Sequence, residues 1–249
     1  MTKVKPLENF FCRGVKNPYF EHSVRTSNYL FAMFEVMCTS NMFKPTFKEY
    51  TKDTVVLSGF LHDIGKLAVP EVLLLKNGDL TNHEWCTVRK HSLYGGNILS
   101  NPETCRQIFS AWPAAQINYI ADTATYHHER VDGKGYPFGL STYIPPLAKL
   151  CSIADTFDAI TSNRPYRKGI TAKEALAIMF SVAGTQLDRN IVRTLLEKPT
   201  WLIPNRICEA YIQKGGELFG GNKKDSCIRD SEGFMQSKKR RVSYNAAHR

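Results

Sequence analysis

Apolar positions along the chain recur at intervals of three and four residues, and no alternating run is closed by hairpin turns. That spacing predicts helices rather than strands. Helices are expected over Glu21 to Thr39, Thr51 to Asp63, Ala114 to His127 and Leu147 to Thr161, the last begun by Pro145-Pro146. Two more carry explicit start signals. Thr81 and Glu84 form a capping box ahead of WCTVRKHSLYGGNIL, and Thr171 and Glu174 repeat it ahead of ALAIMFSVAG, where Gly184 is the expected stop. Asp188 is positioned to cap a last helix, RNIVRTLLE. With no internal repeat, the pattern describes an all-α bundle ending near Lys198, followed by a short extension from Pro199.

Composition narrows the class. A chain of 249 residues, 43% hydrophobic and 22% charged, is long enough to bury one ample core. Its most apolar stretch, Tyr29 to Cys38, is far short of the roughly 20 residues of a membrane span and contains Glu35. The amino terminus lacks the apolar run of a signal peptide, so the expected location is the cytoplasm. Seven cysteines form no CxxC pair, which fits reduced thiols. From Pro199 onward ten Lys or Arg face five Asp or Glu, half of the net charge of +10. The run KKRR at 238 to 241 reads as part of a solvated, partly disordered basic extension over 199 to 249. It has no interleaved aromatics, so nucleic-acid binding is not expected.

The histidines change the picture. Of seven, His22, His62, His91, His127 and His128 fall in or near predicted helices beside acidic residues or one another. Neighbours on a helix diverge by about 100°, so His127 and His128 suit one ion only where the helix ends. The Asp-Gly-Lys-Gly that follows supplies such an end. Alternatively, two ions share the cluster through a bridging carboxylate, for which Asp63, next to His62, is the candidate. Imidazole with carboxylate suits manganese, iron or zinc, and a set without cysteine points to catalysis rather than structure. Lys66, three residues after Asp63, reads either as a surface lysine after a helix end or as a phosphate contact beside the cluster.

FLHDIGK at 60 to 66, His91 in RKHSLYGGNIL, HHERVDGKGYP at 127 to 137 and ADTFDAITSNRPYRK at 154 to 168 resemble, in that order and spacing, the HD-GYP subgroup of the HD phosphohydrolase superfamily. The similarity runs from about Asn17 to about Glu197 and includes AGTQLD at 183 to 188. Residues 1–16 then form an amino-terminal segment too short for a fused sensor domain, and 17–198 the phosphohydrolase domain.

The resemblance implies a phosphodiesterase that cleaves a cyclic dinucleotide, typically cyclic di-GMP, by attack of a metal-activated hydroxide. It implies His62, Asp63, His91, His127, His128 and Asp155 as metal ligands and His22 as the family's amino-terminal histidine, with a ligand, a ligand's partner and a packed side chain as its open roles. Asp63 and Lys66 would be catalytic, and Lys66, Arg164 and Arg167 would contact substrate. Members with three metals carry a glutamate four residues before the first histidine. Here that position is Pro18, so two divalent ions, iron or manganese, are expected. The Gly-Tyr-Pro loop is expected to shape the site or to dock a diguanylate cyclase. Arg130 and Asp132 read as a salt bridge within that loop. The alternatives are an HD phosphohydrolase for cyclic GMP-AMP or another nucleotide, and a catalytically silent ligand- or partner-binding protein.

Overall fold

The computed structural model describes residues 19–109, 112–163, 167–204 and 208. Among them the architecture is helical and no β-sheet forms, as the periodicity predicts. The helices are α1 (Phe20–Thr39), α2 (Lys44–Phe47), α3 (Lys52–Leu61), α4 (Glu71–Leu74), α5 (Asn82–Arg89), α6 (His91–Ser100), α7 (Pro102–Phe109), α8 (Ala114–Tyr126), α9 (Pro146–Thr161), α10 (Ala172–Ser181) and α11 (Arg189–Glu197). A 3-10 turn, Ile64–Ala68, follows α3, and a second, Pro199–Leu202, follows α11.

α1 is buried on most of its circumference, with small polar residues in its first half and apolar ones after, and is the central helix, packed against α3 and α9. α8 completes the layer against α3 and α6, and the first 3-10 turn lies on α6. Leu30, Met33, Phe60, Leu61, Ile120, Leu147 and Phe157 fill the space between these elements.

The start signals act as the sequence predicts. Thr81 Oγ1 accepts from the Glu84 amide at 3.3 Å while Glu84 accepts from the Thr81 amide at 2.7 Å. Thr171 and Glu174 close the same pair of bonds at 3.3 and 2.8 Å. Asp188 accepts from the amides of Asn190 and Ile191.

Several boundaries differ from expectation. The expected helix through His91 is two helices that meet at Lys90, because α5 stays at the surface while α6 turns inward onto the 3-10 turn and α8. α3 stops at Leu61 rather than Asp63, and α8 stops one residue short of His127. α10 ends at Ser181, ahead of Gly184, which takes φ +93° in the turn that follows. The helix α7 was signalled by Asn101-Pro102, since Asn101 accepts from the amides of Glu103 and Thr104. The core also continues past Lys198. Trp201 is buried against Phe157 and Tyr29, donates to the Leu195 carbonyl at 3.0 Å, and the amide of buried Cys208 donates to Asn28. Arg164, Pro18, residues 1–16 and the KKRR run lie outside the described residues.

Candidate metal centre

Two helix ends and one helix start converge. His62 caps α3 and Asp63 follows it with φ −99°, outside the helix, so the two side chains turn to a common point. His127 caps α8, which frees His128 from the helical spacing in the same way. His91 opens α6, His22 lies in the first turn of α1, and Asp155 is on α9.

Missing side chains set the approach of these elements. A Cβ on Gly59 would stand 2.6 Å from Ser27 Cα, so α1 and α3 pack too closely for alanine there. A Cβ on Gly65 would stand 1.8 Å from the His91 carbonyl oxygen, and one on Gly96 2.0 Å from Thr125 Oγ1. The close contacts bring His22 to His62, His62 and Asp63 to His91, and His91 to His127.

Seven side chains meet in two groups. Asp63, His91, His127 and His128 present ligand atoms within 4.8 Å of one another, and so do His22, His62 and Asp155. Asp63 faces both groups. Its Oδ1 lies 3.3 Å from His91 Nε2 and 4.0 Å from His127 Nε2, while its Oδ2 lies 3.4 Å from His62 Nε2 and 3.8 Å from His22 Nε2. His22 Nε2 is 3.1 Å from Asp155 Oδ1.

The donor set fits a cation. His62 Nδ1 bonds to the Gly59 carbonyl at 2.7 Å, His91 Nδ1 to the Val88 carbonyl at 2.8 Å and His127 Nδ1 to the Ala124 carbonyl at 3.0 Å. A carbonyl only accepts, so in each ring Nδ1 carries the hydrogen and Nε2 keeps its lone pair. All three Nε2 atoms are buried without a hydrogen-bond partner. Leaving three buried acceptors unmet is costly, and their common aim beside a carboxylate is the arrangement that a metal satisfies.

Electrostatics agree. Burial holds His127 well below the usual imidazole range, and burial with the neighbouring His91 pushes His128 down to about 3, so both are neutral at physiological pH. Burial would raise Asp63, but Lys66, His62 and His91 outweigh it and keep the carboxylate ionised. Burial works against a charge on His22, yet hydrogen bonds to Asp155 and Asp158 raise it to about 9. In the metal-free protein a proton on His22 Nε2 thus stands where a cation would.

Sequence reasoning missed the support behind His22. Asp158 is buried and accepts from His22 Nδ1 at 2.6 Å, from Arg25 Nε at 2.6 Å and from Ser162 Oγ at 2.9 Å. The spacing from Asp155, three residues on the same helix, was its signal. Lys66 contacts Asp63 Oδ2 and lies over the Tyr19 ring at 4.3 Å. Arg167 is exposed and donates to the Ala159 carbonyl at 2.5 Å, outside both groups.

The Gly-Tyr-Pro loop packs inward. The Tyr136 ring stacks on His128 with centroids 4.6 Å apart and its amide donates to the His128 carbonyl. Glu129 is buried and accepts from the amides of Phe138 and Leu140, which holds the loop closed. Arg130 and Asp132 form the expected pair through two bonds of 3.0 and 2.7 Å.

A helical fold carrying a buried His-Asp pair among further histidines defines an HD-type metal protein. Residues 20–191 match the HD domain family, and the chain belongs to it, its motifs falling in the HD-GYP subgroup. HD domain proteins are metal-dependent, and the cluster here is able to hold metal. The chain is 45% identical over 142 residues to a cyclic di-GMP phosphodiesterase of Pseudomonas aeruginosa, covering 57% of this chain and 31% of that protein. It is 34% identical over 176 residues to a probable cyclic di-GMP phosphodiesterase of Vibrio cholerae, covering 70% and 39%. A 3'3'-cGAMP-specific phosphodiesterase of Vibrio cholerae shares 34% over 149 residues, covering 59% and 30%. The chain thus spans between three and four tenths of the length of these curated relatives. Among the described residues no helix is long and apolar enough to cross a membrane.

Proposed function

We propose that the chain is a metal-dependent phosphodiesterase that hydrolyses a cyclic dinucleotide, cyclic di-GMP first, in the cytoplasm. The observation that carries this reading is the set of three buried, unpartnered Nε2 atoms around the two-faced carboxylate of Asp63. Asp63 Oδ1 with His91, His127 and His128 would hold one divalent ion, and Asp63 Oδ2 with His22, His62 and Asp155 the other. Mixed imidazole and carboxylate donors suit iron or manganese. Such ions supply Lewis-acid polarisation of a phosphate oxygen and a water acidic enough to attack at neutral pH.

The chain's own residues do the rest. Asp63 keeps the two groups in register. Lys66, already paired to Asp63, sits where its ammonium offsets charge building on the phosphate. Tyr136 holds the His128 ring against rotation. The oxygen of water bonds to phosphorus and gives up a proton, the P–O3′ bond breaks, and the leaving 3′ oxygen takes up a proton, giving the linear dinucleotide. Arg164 and Arg167 are assigned to substrate by resemblance alone. Docking of a diguanylate cyclase has no support from the relatives or from the inward packing of Tyr136.

Cyclic GMP-AMP is the second substrate, favoured by the relatives named for it. The test is anaerobic purification, loading with iron(II) or manganese(II), and chromatography of cyclic di-GMP and cyclic GMP-AMP beside a His62→Ala, Asp63→Ala control. Cleavage lost in the control supports the reading. Bound metal with neither nucleotide consumed would overturn it.

A further inference from the structure

We propose that Trp85 and Arg89 form a guanine-binding subsite at the rim of the metal centre. The inference rests on the phosphodiesterase reading and extends it to the base. Trp85 and Arg89 stand four residues apart on α5, so they share one face, and Arg89 lies two residues before His91. The Arg89 guanidinium lies 5.7 Å from the Trp85 ring centre and 5.3 Å from that of Tyr136. Tyr136 in turn stacks on His128, so one ring separates Arg89 from a ligand of the cluster.

Two features mark the pair as unfinished by the fold. Among the described residues Arg89 has no carboxylate partner, and its guanidinium lies over two aromatic faces. Trp85 is a large apolar residue left 45% exposed. An indole face stacks any base, and a guanidinium offers a two-pronged donor to O6 and N7 of guanine, which adenine lacks as a pair of acceptors. A phosphate held at the cluster carries its base one sugar away. The chemistry on offer is therefore purine stacking plus guanine-edge recognition.

Steady-state kinetics with cyclic di-GMP and cyclic di-AMP, on metal-loaded wild type, Arg89→Ala, Arg89→Lys and Trp85→Ala, test this with metal content measured on each. Arg89→Ala should raise KM for cyclic di-GMP about tenfold, with metal content and kcat nearly unchanged, and shrink the preference over cyclic di-AMP. Arg89→Lys keeps the charge without the fork, so it should lose the preference as well. Trp85→Ala should raise KM for both nucleotides. An equal rise for both in Arg89→Ala would assign Arg89 to phosphate and overturn the base reading. No change in either variant, with wild type active, overturns the subsite alone, whereas an inactive wild type overturns the phosphodiesterase reading and the subsite together.

Discussion

His22 Nδ1 donates to Asp158 Oδ2 across 2.6 Å, which turns His22 Nε2 toward Asp155 and Asp63. The bond does for His22 what backbone carbonyls do for His62, His91 and His127. Asp158→Ala should therefore lower metal affinity by about 10- to 100-fold, the effect of losing a partner that orients a ligand. Metal titration with circular dichroism in parallel checks this; unchanged affinity would make Asp158 a helix-packing residue only.

Removing metal should lower thermal stability, because the unfolded chain has no assembled cluster. At metal near 100 times Kd, native-state binding is worth about 2.7 kcal/mol, and each kcal/mol moves Tm by about 2–4 °C for a domain of this size. A chelator should thus reduce Tm by about 5–10 °C in wild type and leave the His62→Ala, Asp63→Ala protein unmoved.

Gly65→Ala puts a methyl group 1.8 Å from the His91 carbonyl oxygen, which has backbone on both sides and cannot swing away. The 3-10 turn must lift from α6. We expect a loss of stability of about 1–3 kcal/mol or more, and metal content below wild type even at temperatures where the variant stays folded. Native metal content in a folded variant would show that the turn can shift without moving Asp63.

The metal-free protein should lose stability on the acid side. His91, His127 and His128 have folded pKa values below the unfolded value of about 6.5. Below that value the unfolded chain takes up protons that the folded one refuses. The stability they contribute is complete above pH 6.5 and declines as pH falls below it, for His128 down to about 3. His22, raised to about 9, acts in the opposite sense and loses its contribution as pH rises from about 6.5 to 9. Urea midpoints at pH 5 and 7, without metal, should differ, with pH 7 the higher.

Trp201→Ala should cost about 3–5 kcal/mol, the range for emptying a large aromatic site. Truncation after Lys198 should do at least as much harm, since it removes Trp201 from Phe157 and Tyr29. Urea unfolding of both proteins measures it, and wild-type midpoints would place the end of the core before Pro199.

The sequence by itself determined the helical class, the capped starts at Thr81, Thr171 and Asp188, and the histidines and aspartates that gather in the cluster. These are local matters: apolar spacing and side-chain oxygens near their own amides act within one or two turns of chain. Ordered motifs also named the family, because His62-Asp63, His91, His127-His128 and Asp155 keep their order whatever the packing. Tertiary structure decided the rest. Asp63 faces two groups only because Gly59, Gly65 and Gly96 let three pairs of elements approach. Asp158 supports His22 from 136 residues away and is itself held by Arg25, a pairing that only the packing of α1 on α9 makes. Trp201 returns to a core that the apolar pattern had closed at Lys198. Helix ends, too, were settled by packing: a fraction of a turn at Leu61 and Tyr126 is worth little in propensity and everything in where His62, Asp63, His127 and His128 point.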